Sequence, residues 1–201
     1  MKNLTKAKIE SSFLSCEKDT ETILRRLFIE SGQFSSILKK LLVINVKDCL
    51  TSDNPNYLKK VQNMSIKDLL DEGYIRLNPK LTFDEHEEVR SYILLSYDNF
   101  TPNETNPEYR DCTVSFDVIC HTDEWVLDNY QLRPIKIVGF IDGILNNTKL
   151  SGIGTFNFMG CNELLLSEDL SGYTLMYRAI HDVNGDDKIT PEIAAIHEGR
   201  V

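Results

Sequence analysis

No stretch of this 201-residue chain approaches the roughly 18–20 consecutive apolar residues that a membrane helix requires. The opening residues, Met1-Lys-Asn-Leu-Thr-Lys6, carry lysines but no apolar core behind them, so no signal peptide is expected and the protein should stay where it is made. Paired cysteines are also missing. The five present (Cys16, Cys49, Cys112, Cys120 and Cys161) are odd in number and form no CxxC, which argues against a disulfide framework and a zinc knuckle. Basic clusters are scarce: Arg25-Arg26, Lys39-Lys40 and Lys59-Lys60 are isolated dipeptides in a chain of formal charge −9. Affinity for phosphate backbones needs clustered Lys and Arg, so this balance does not point to sequence-specific nucleic-acid binding. GxSxG, Walker and GxGxxG motifs are absent, which leaves no recognisable nucleophile elbow or phosphate cradle. A non-enzymatic assembly component is the expectation.

What the chain does have is clear periodicity. Ile23, Leu24, Leu27 and Phe28 recur at helical spacing up to Gly32, and Ile37, Leu38, Leu41 and Leu42 form a second stripe with Lys39 and Lys40 opposite. Asp53-Asn54-Pro55 reads as a loop. Ser65-Ile-Lys-Asp68 is a capping arrangement for a short helix bearing Leu69 and Leu70, with Gly73 at its end, and Tyr74–Leu77 reads as a short strand.

Near Glu88 the texture changes. Val89–Asp98 is almost continuously apolar, as in a strand buried on both faces. A Pro- and Asn-rich connector, Asn99–Arg110, leads to Cys112–His121, where Val114, Phe116, Val118 and Cys120 alternate with Thr113, Ser115 and Asp117. Residues 131–147 return to helical spacing, with Pro134 in the first turn and Ile137, Val138, Ile141, Ile144 and Leu145 as the core stripe. Gly154–Phe158 and Glu163–Leu166 read as two strands split by Gly160, and Gly172–His181 as a last one. The sum is an α+β fold: an antiparallel sheet packed with helices (86–181), preceded by a helical N-terminal extension (1–85) and followed by an acidic turn and C-terminal tail (182–201).

Two places invite metal chemistry. Asp182, Asn184 and Asp186 place oxygens at positions one, three and five of a calcium-type loop, with Glu192 close to the closing position. The sixth position is Asp187 where the sharp turn wants glycine, so a solvated acidic turn competes with calcium as the reading. His121 and His181 end strands beside Asp123 and Asp182, and neighbouring strands would let the two imidazoles approach one another. No HxH or HExxH spacing accompanies them. Asp123-Glu124 beside Trp125 has the composition of a carboxylate pair, although adjacent residues on a strand or turn point apart.

The run from Val89 to His181 resembles the tail-terminator and head–tail connector proteins of tailed bacteriophages. The likeness rests on the order of VRSYILLSYD, the loop NFTPNETNPEYRD, CTVSFDVICHTDEW, the helix LRPIKIVGFIDGILNN and strands ending in SGYTLMYRAIH. It implies a structural virion protein, assembled in the bacterial host cytoplasm, that forms a hexameric or dodecameric ring in the neck or tail. Its partners would be further copies of itself and neighbouring neck, portal or tail proteins, with DNA passing through the channel. An acidic bore would not hold a sliding polyanion. Phe100, Tyr109 and Trp125 are the expected interface anchors, since large aromatics dominate interface energetics. A non-enzymatic adaptor or assembly chaperone that forms no ring is the second reading, and a metal-dependent enzyme the third.

Overall fold

The alternation in Cys112–His121 becomes the middle of a five-stranded sheet. A computed structural model of the chain describes residues 12–77, 89–104, 109–150 and 153–182. Four α-helices come first: α1 (Ser12–Arg25), α2 (Gln33–Val43), α3 (Pro55–Asn63) and α4 (Ile66–Asp71). The strands β1 (Ile75–Arg76), β2 (Ser91–Pro102) and β3 (Tyr109–His121) follow, then a small hairpin of β4 (Val126–Leu127) and β5 (Gln131–Leu132). Helix α5 (Arg133–Leu145), the short pair β6 (Lys149–Leu150) and β7 (Gly154–Thr155), and the strands β8 (Asn157–Leu165) and β9 (Leu170–Asp182) complete the α+β fold.

The sheet order is β1-β2-β3-β9-β8. Every pairing is antiparallel except the first, where β1 runs parallel to β2, so the sheet is mixed rather than purely antiparallel. The period of two then sets the faces. Val114, Phe116 and Val118 of β3, Leu175 and Tyr177 of β9, and Ile93 and Leu95 of β2 point to one side. There they join one buried cluster with Ile23 and Leu27 of the first helical segment, Leu38 and Leu41 of α2, and Ile137 and Ile141 of α5. The helices expected as an N-terminal extension thus share a core with the sheet, and Thr20 Oγ1 lies 2.9 Å from the Tyr97 hydroxyl as a polar tie between α1 and β2. On the opposite face, Tyr92, Leu94, Ile119 and Leu170 form a smaller cluster beside polar residues.

Several local readings change. Pro55 opens α3 rather than lying in a loop; Asn54 accepts a bond from the Asn56 amide at 3.0 Å, and proline at the first turn loses no helical bond. The first helix continues through a π-helical turn, Arg26–Glu30, that keeps Leu27 and Phe28 buried. Strand β2 runs to Pro102 through a register shift between Asp98 and Thr101, with Asn99 at φ 53°, so the connector to β3 is shorter than its composition suggests. Gly160 does not split a strand: β8 passes it with a bulge between Phe158 and Gly160. Gly172 is required by close approach, since a Cβ there would sit 1.7 Å from the Val118 carbonyl oxygen. Among the described residues no helix is long and apolar enough to cross a membrane.

Candidate functional site

Arg133 begins α5 and is fully buried, at 0% exposure. An unpaired guanidinium in such a place costs several kcal/mol, so its partners decide whether the fold tolerates it. It has five N–H donors and uses all five. Nε donates to the Glu124 carbonyl at 2.8 Å. One terminal nitrogen donates to the Leu41 and Ile44 carbonyls at 2.6 and 3.1 Å, and the other to the Val46 carbonyl at 2.7 Å and the Glu124 carboxylate at 3.2 Å. Leu41 and Ile44 lie at the C-terminal end of α2, where carbonyls lack helical partners and a cation is favoured. Glu124 neutralises the charge. The side chain therefore latches α2 and the segment after it to the start of α5.

The β4–β5 hairpin hangs from this latch. The Arg133 amide donates to the Trp125 carbonyl at 2.8 Å, and the Asp128 amide to the Lys47 carbonyl at 3.1 Å. Thr51 Oγ1 donates to the Asp128 carboxylate at 3.3 Å. At the tip, Asn129 and Tyr130 both sit in the left-handed region, at φ 60° and 59°. This backbone costs a tyrosine on the order of 1 kcal/mol. Tyr130 is 97% exposed, so no packing among the described residues offsets that cost. Val126, Leu132 and Ile135 are exposed around it, giving an apolar knob on a rigid base.

The aromatics read from the sequence sit differently. Phe100 is half-buried against Phe13, with ring centroids 4.8 Å apart, and the Arg110 guanidinium lies 5.3 Å from the Phe13 ring centre. Trp125 is half-buried and 6.3 Å from the Tyr173 ring. Tyr109 opens β3 opposite Asp182, at the far end of the β3–β9 ladder from the hairpin. The structure does not bring these three together. The sequence does not single out Tyr130; its signal is Asp128-Asn129-Tyr130, a turn between the apolar pair Val126-Leu127 and Leu132.

The histidine pairing fails. Strands β3 and β9 are neighbours but antiparallel, so His121 faces Leu170 and His181 faces Arg110, at opposite ends and on the order of 35 Å apart by strand rise. His121 instead caps the turn at Thr122–Glu124, its Nδ1 accepting from the Asp123 amide at 3.2 Å. The carboxylates of Asp123 and Glu124 diverge, toward His121 and Arg133 respectively. Among the described residues no group of three or more His, Cys, Asp and Glu is placed to hold a metal. Asp182 ends β9, while Asn184, Asp186 and Glu192 lie outside the described residues.

Cys112 and Cys120 are small buried groups of the core, as their strand positions predict. Burial pushes the Cys120 thiol up to about 12 and the Cys16 thiol up to about 11, so neither is a thiolate at neutral pH.

The fold and this site define an α+β protein that presents a rigid, apolar hairpin tip beside a mixed sheet with, among the described residues, one long open edge. The chain belongs to the YomW family, a phage-derived, Bacillus prophage-like family whose sequence model matches residues 35–179, more than half of its length. The match runs from α2 to β9 and so includes Arg133, every acceptor it uses and the hairpin tip. No curated protein matches the chain.

Proposed function

We propose that this protein is a structural subunit of a phage particle, assembling through its hairpin tip into a ring of the neck or tail around the DNA channel. The observation that carries the reading is Tyr130, fully exposed and held in a costly backbone conformation on a hairpin that Arg133 fixes to the core. An exposed aromatic on a rigid base loses little conformational freedom when it docks, which is how interface hot spots gain their energy. The phage-derived family supports the setting. A closed ring needs different patches of one subunit to meet, and the tip supplies one of them.

The test is mass photometry with negative-stain microscopy across a concentration range, on the protein and on Tyr130→Ala. A discrete mass of about six or twelve subunits, lost in the variant while the melting temperature holds or rises, is the expected result. Rings that form equally well without the tyrosine ring, or a protein that stays monomeric alone and with its neck and tail neighbours, would sink it.

A further inference from the structure

We infer that β8 is a self-association edge, at which two copies of the chain pair their β8 strands antiparallel about a two-fold axis. The inference stands apart from the ring reading, because an edge-to-edge pair is isologous and closes after two copies.

The sheet ends on two edges. One is β1, which is two residues long and bound parallel to β2. The other is β8, nine residues long, and among the described residues no strand lies on its outer side. An open edge presents alternate N–H and C=O groups that pair readily with another chain. Proteins usually blunt such an edge with lysine, proline or inward charge. Residues 157–166 (Asn-Phe-Met-Gly-Cys-Asn-Glu-Leu-Leu-Leu) contain no lysine, arginine or proline, and Glu163 is their single charge. Phe158, Met159, Leu165 and Leu166 are all exposed, Leu165 at 73%. Among the described residues, the bulge beside Met159 is the one protective device on this edge.

The occupant follows from topology and charge. Among its described residues, another copy has one long open edge to offer, and it is the same strand. Antiparallel pairing centred on Asn162 sets Phe158 and Met159 of one copy across from Leu166 and Leu165 of the other. A two-fold axis perpendicular to the sheet keeps each side chain on its own face, so Phe158 and Leu165, both on the α5 side by their pairing with Tyr177 and Ser171, meet there. Glu163 then faces the neutral segment around Gly160 and Cys161, and no like charges meet despite the chain's net −9. A partner chosen for charge would instead show basic residues complementary to the acidic surface, which a neutral strand does not select.

The experiment is light scattering and amide hydrogen exchange on the full chain between about 1 and 100 µM, a range that brackets a modest edge interface. A mass that doubles with concentration, with amides of 158–165 slowing in step by tenfold or more, is expected. Met159→Lys and Leu165→Lys, both exposed and so neutral to folding, should return the protein to monomer and the amides to fast exchange, with the melting temperature of the monomer unchanged. A dimer that persists in both variants overturns the inference. So does a wild-type monomer at the highest concentration, whether its 158–165 amides are fast, meaning that the edge stays open, or slow, meaning that another segment of the chain fills it. A dimer without rings leaves the tip's role to its own test.

Discussion

Strands β3 and β8 flank the same partner, β9, yet they share almost nothing else. In β3, Cys112, Val114, Phe116, Val118 and Cys120 are all buried on the helix side, and Ile119 is buried on the other. In β8 none of the nine residues is buried. The ladders are comparable, with β9 paired along most of both. Backbone hydrogen bonding therefore does not distinguish them; what does is whether side chains find a second layer. Phe116 meets Tyr177 edge-on at 6.1 Å under α5, and Tyr177 meets Phe156 at 5.7 Å. Such ring pairs are worth about 0.5–1.5 kcal/mol each beyond area burial. Phe158, by contrast, meets Tyr177 at 6.3 Å between centroids and remains half exposed. One strand builds the core, and the other is held by it.

Truncation should expose that asymmetry most strongly. Phe116→Ala removes a fully buried ring and leaves a cavity, so it should cost about 3–5 kcal/mol in denaturant unfolding. Leu165→Ala, on the same side of the sheet two strands away, should shift stability by under about 0.5 kcal/mol when the protein is dilute. Equal losses at the two positions would mean that β8 is covered in the folded monomer and that the contrast is false.

A smaller effect comes from the polar contact between β9 and α5. The buried Tyr177 hydroxyl donates to the Asp142 carboxylate at 2.8 Å, and burial, followed by that bond and the negative charge, holds the phenol protonated. Tyr177→Phe keeps the ring packing and deletes the bond, so it should cost about 1–2 kcal/mol. The ring's neighbours are unchanged, and the near-ultraviolet circular dichroism of the remaining aromatics should survive. A loss as large as that of Phe116→Ala would show that the hydroxyl organises the layer rather than joining it.

How much of this contrast was legible beforehand depends on the range of the interaction. The alternation in β3 and the stripe Ile137, Ile141, Ile144, Leu145 in α5 are local patterns, and the structure keeps both. The Ser65–Asp68 capping box is local too, and both of its reciprocal bonds form. Pro55 departs from its loop reading because Asn-Pro marks a turn or a helix start with equal right, and the residues after it decide which. The exposure of β8 is not written in β8: an apolar run looks the same at an edge as in the middle, and sheet order comes from the whole chain. Arg133 is the extreme case. Its acceptors at Leu41, Ile44 and Val46 lie some ninety residues away, so nothing near it in the sequence announces a buried guanidinium. Among candidate site residues, aromatic character alone points to Phe100 and Trp125, both half-buried, whereas exposure and backbone strain, which only the fold shows, point to Tyr130.

The smallest effect expected is an acid one, and it probes the face of the sheet away from the helices. Asp111 of β3 accepts from Asn103 Nδ2 at 2.8 Å and from Arg178 of β9, whose Nε lies 3.1 Å away. Burial pushes its carboxyl up, but the bonds from Asn103 and Arg178 outweigh that, and the net shift is below the ordinary 3.8. A carboxyl held below its unfolded value stabilises the fold fully above that value, and the contribution is lost as pH falls through the depressed one. Melting temperature followed from about pH 7 down to pH 2.5 should therefore hold until near 4 and then decline. Asp111→Asn should start lower and show a shallower acid limb, because the variant has no proton to gain at that site. Arg178 is half exposed, so solvent screens the pair and the difference should be slight and should shrink further in high salt. An acid limb unchanged by the substitution would place the acid sensitivity elsewhere and show that the β3–β9 ladder, on this face as on the other, is held by its backbone and its buried side chains rather than by charge.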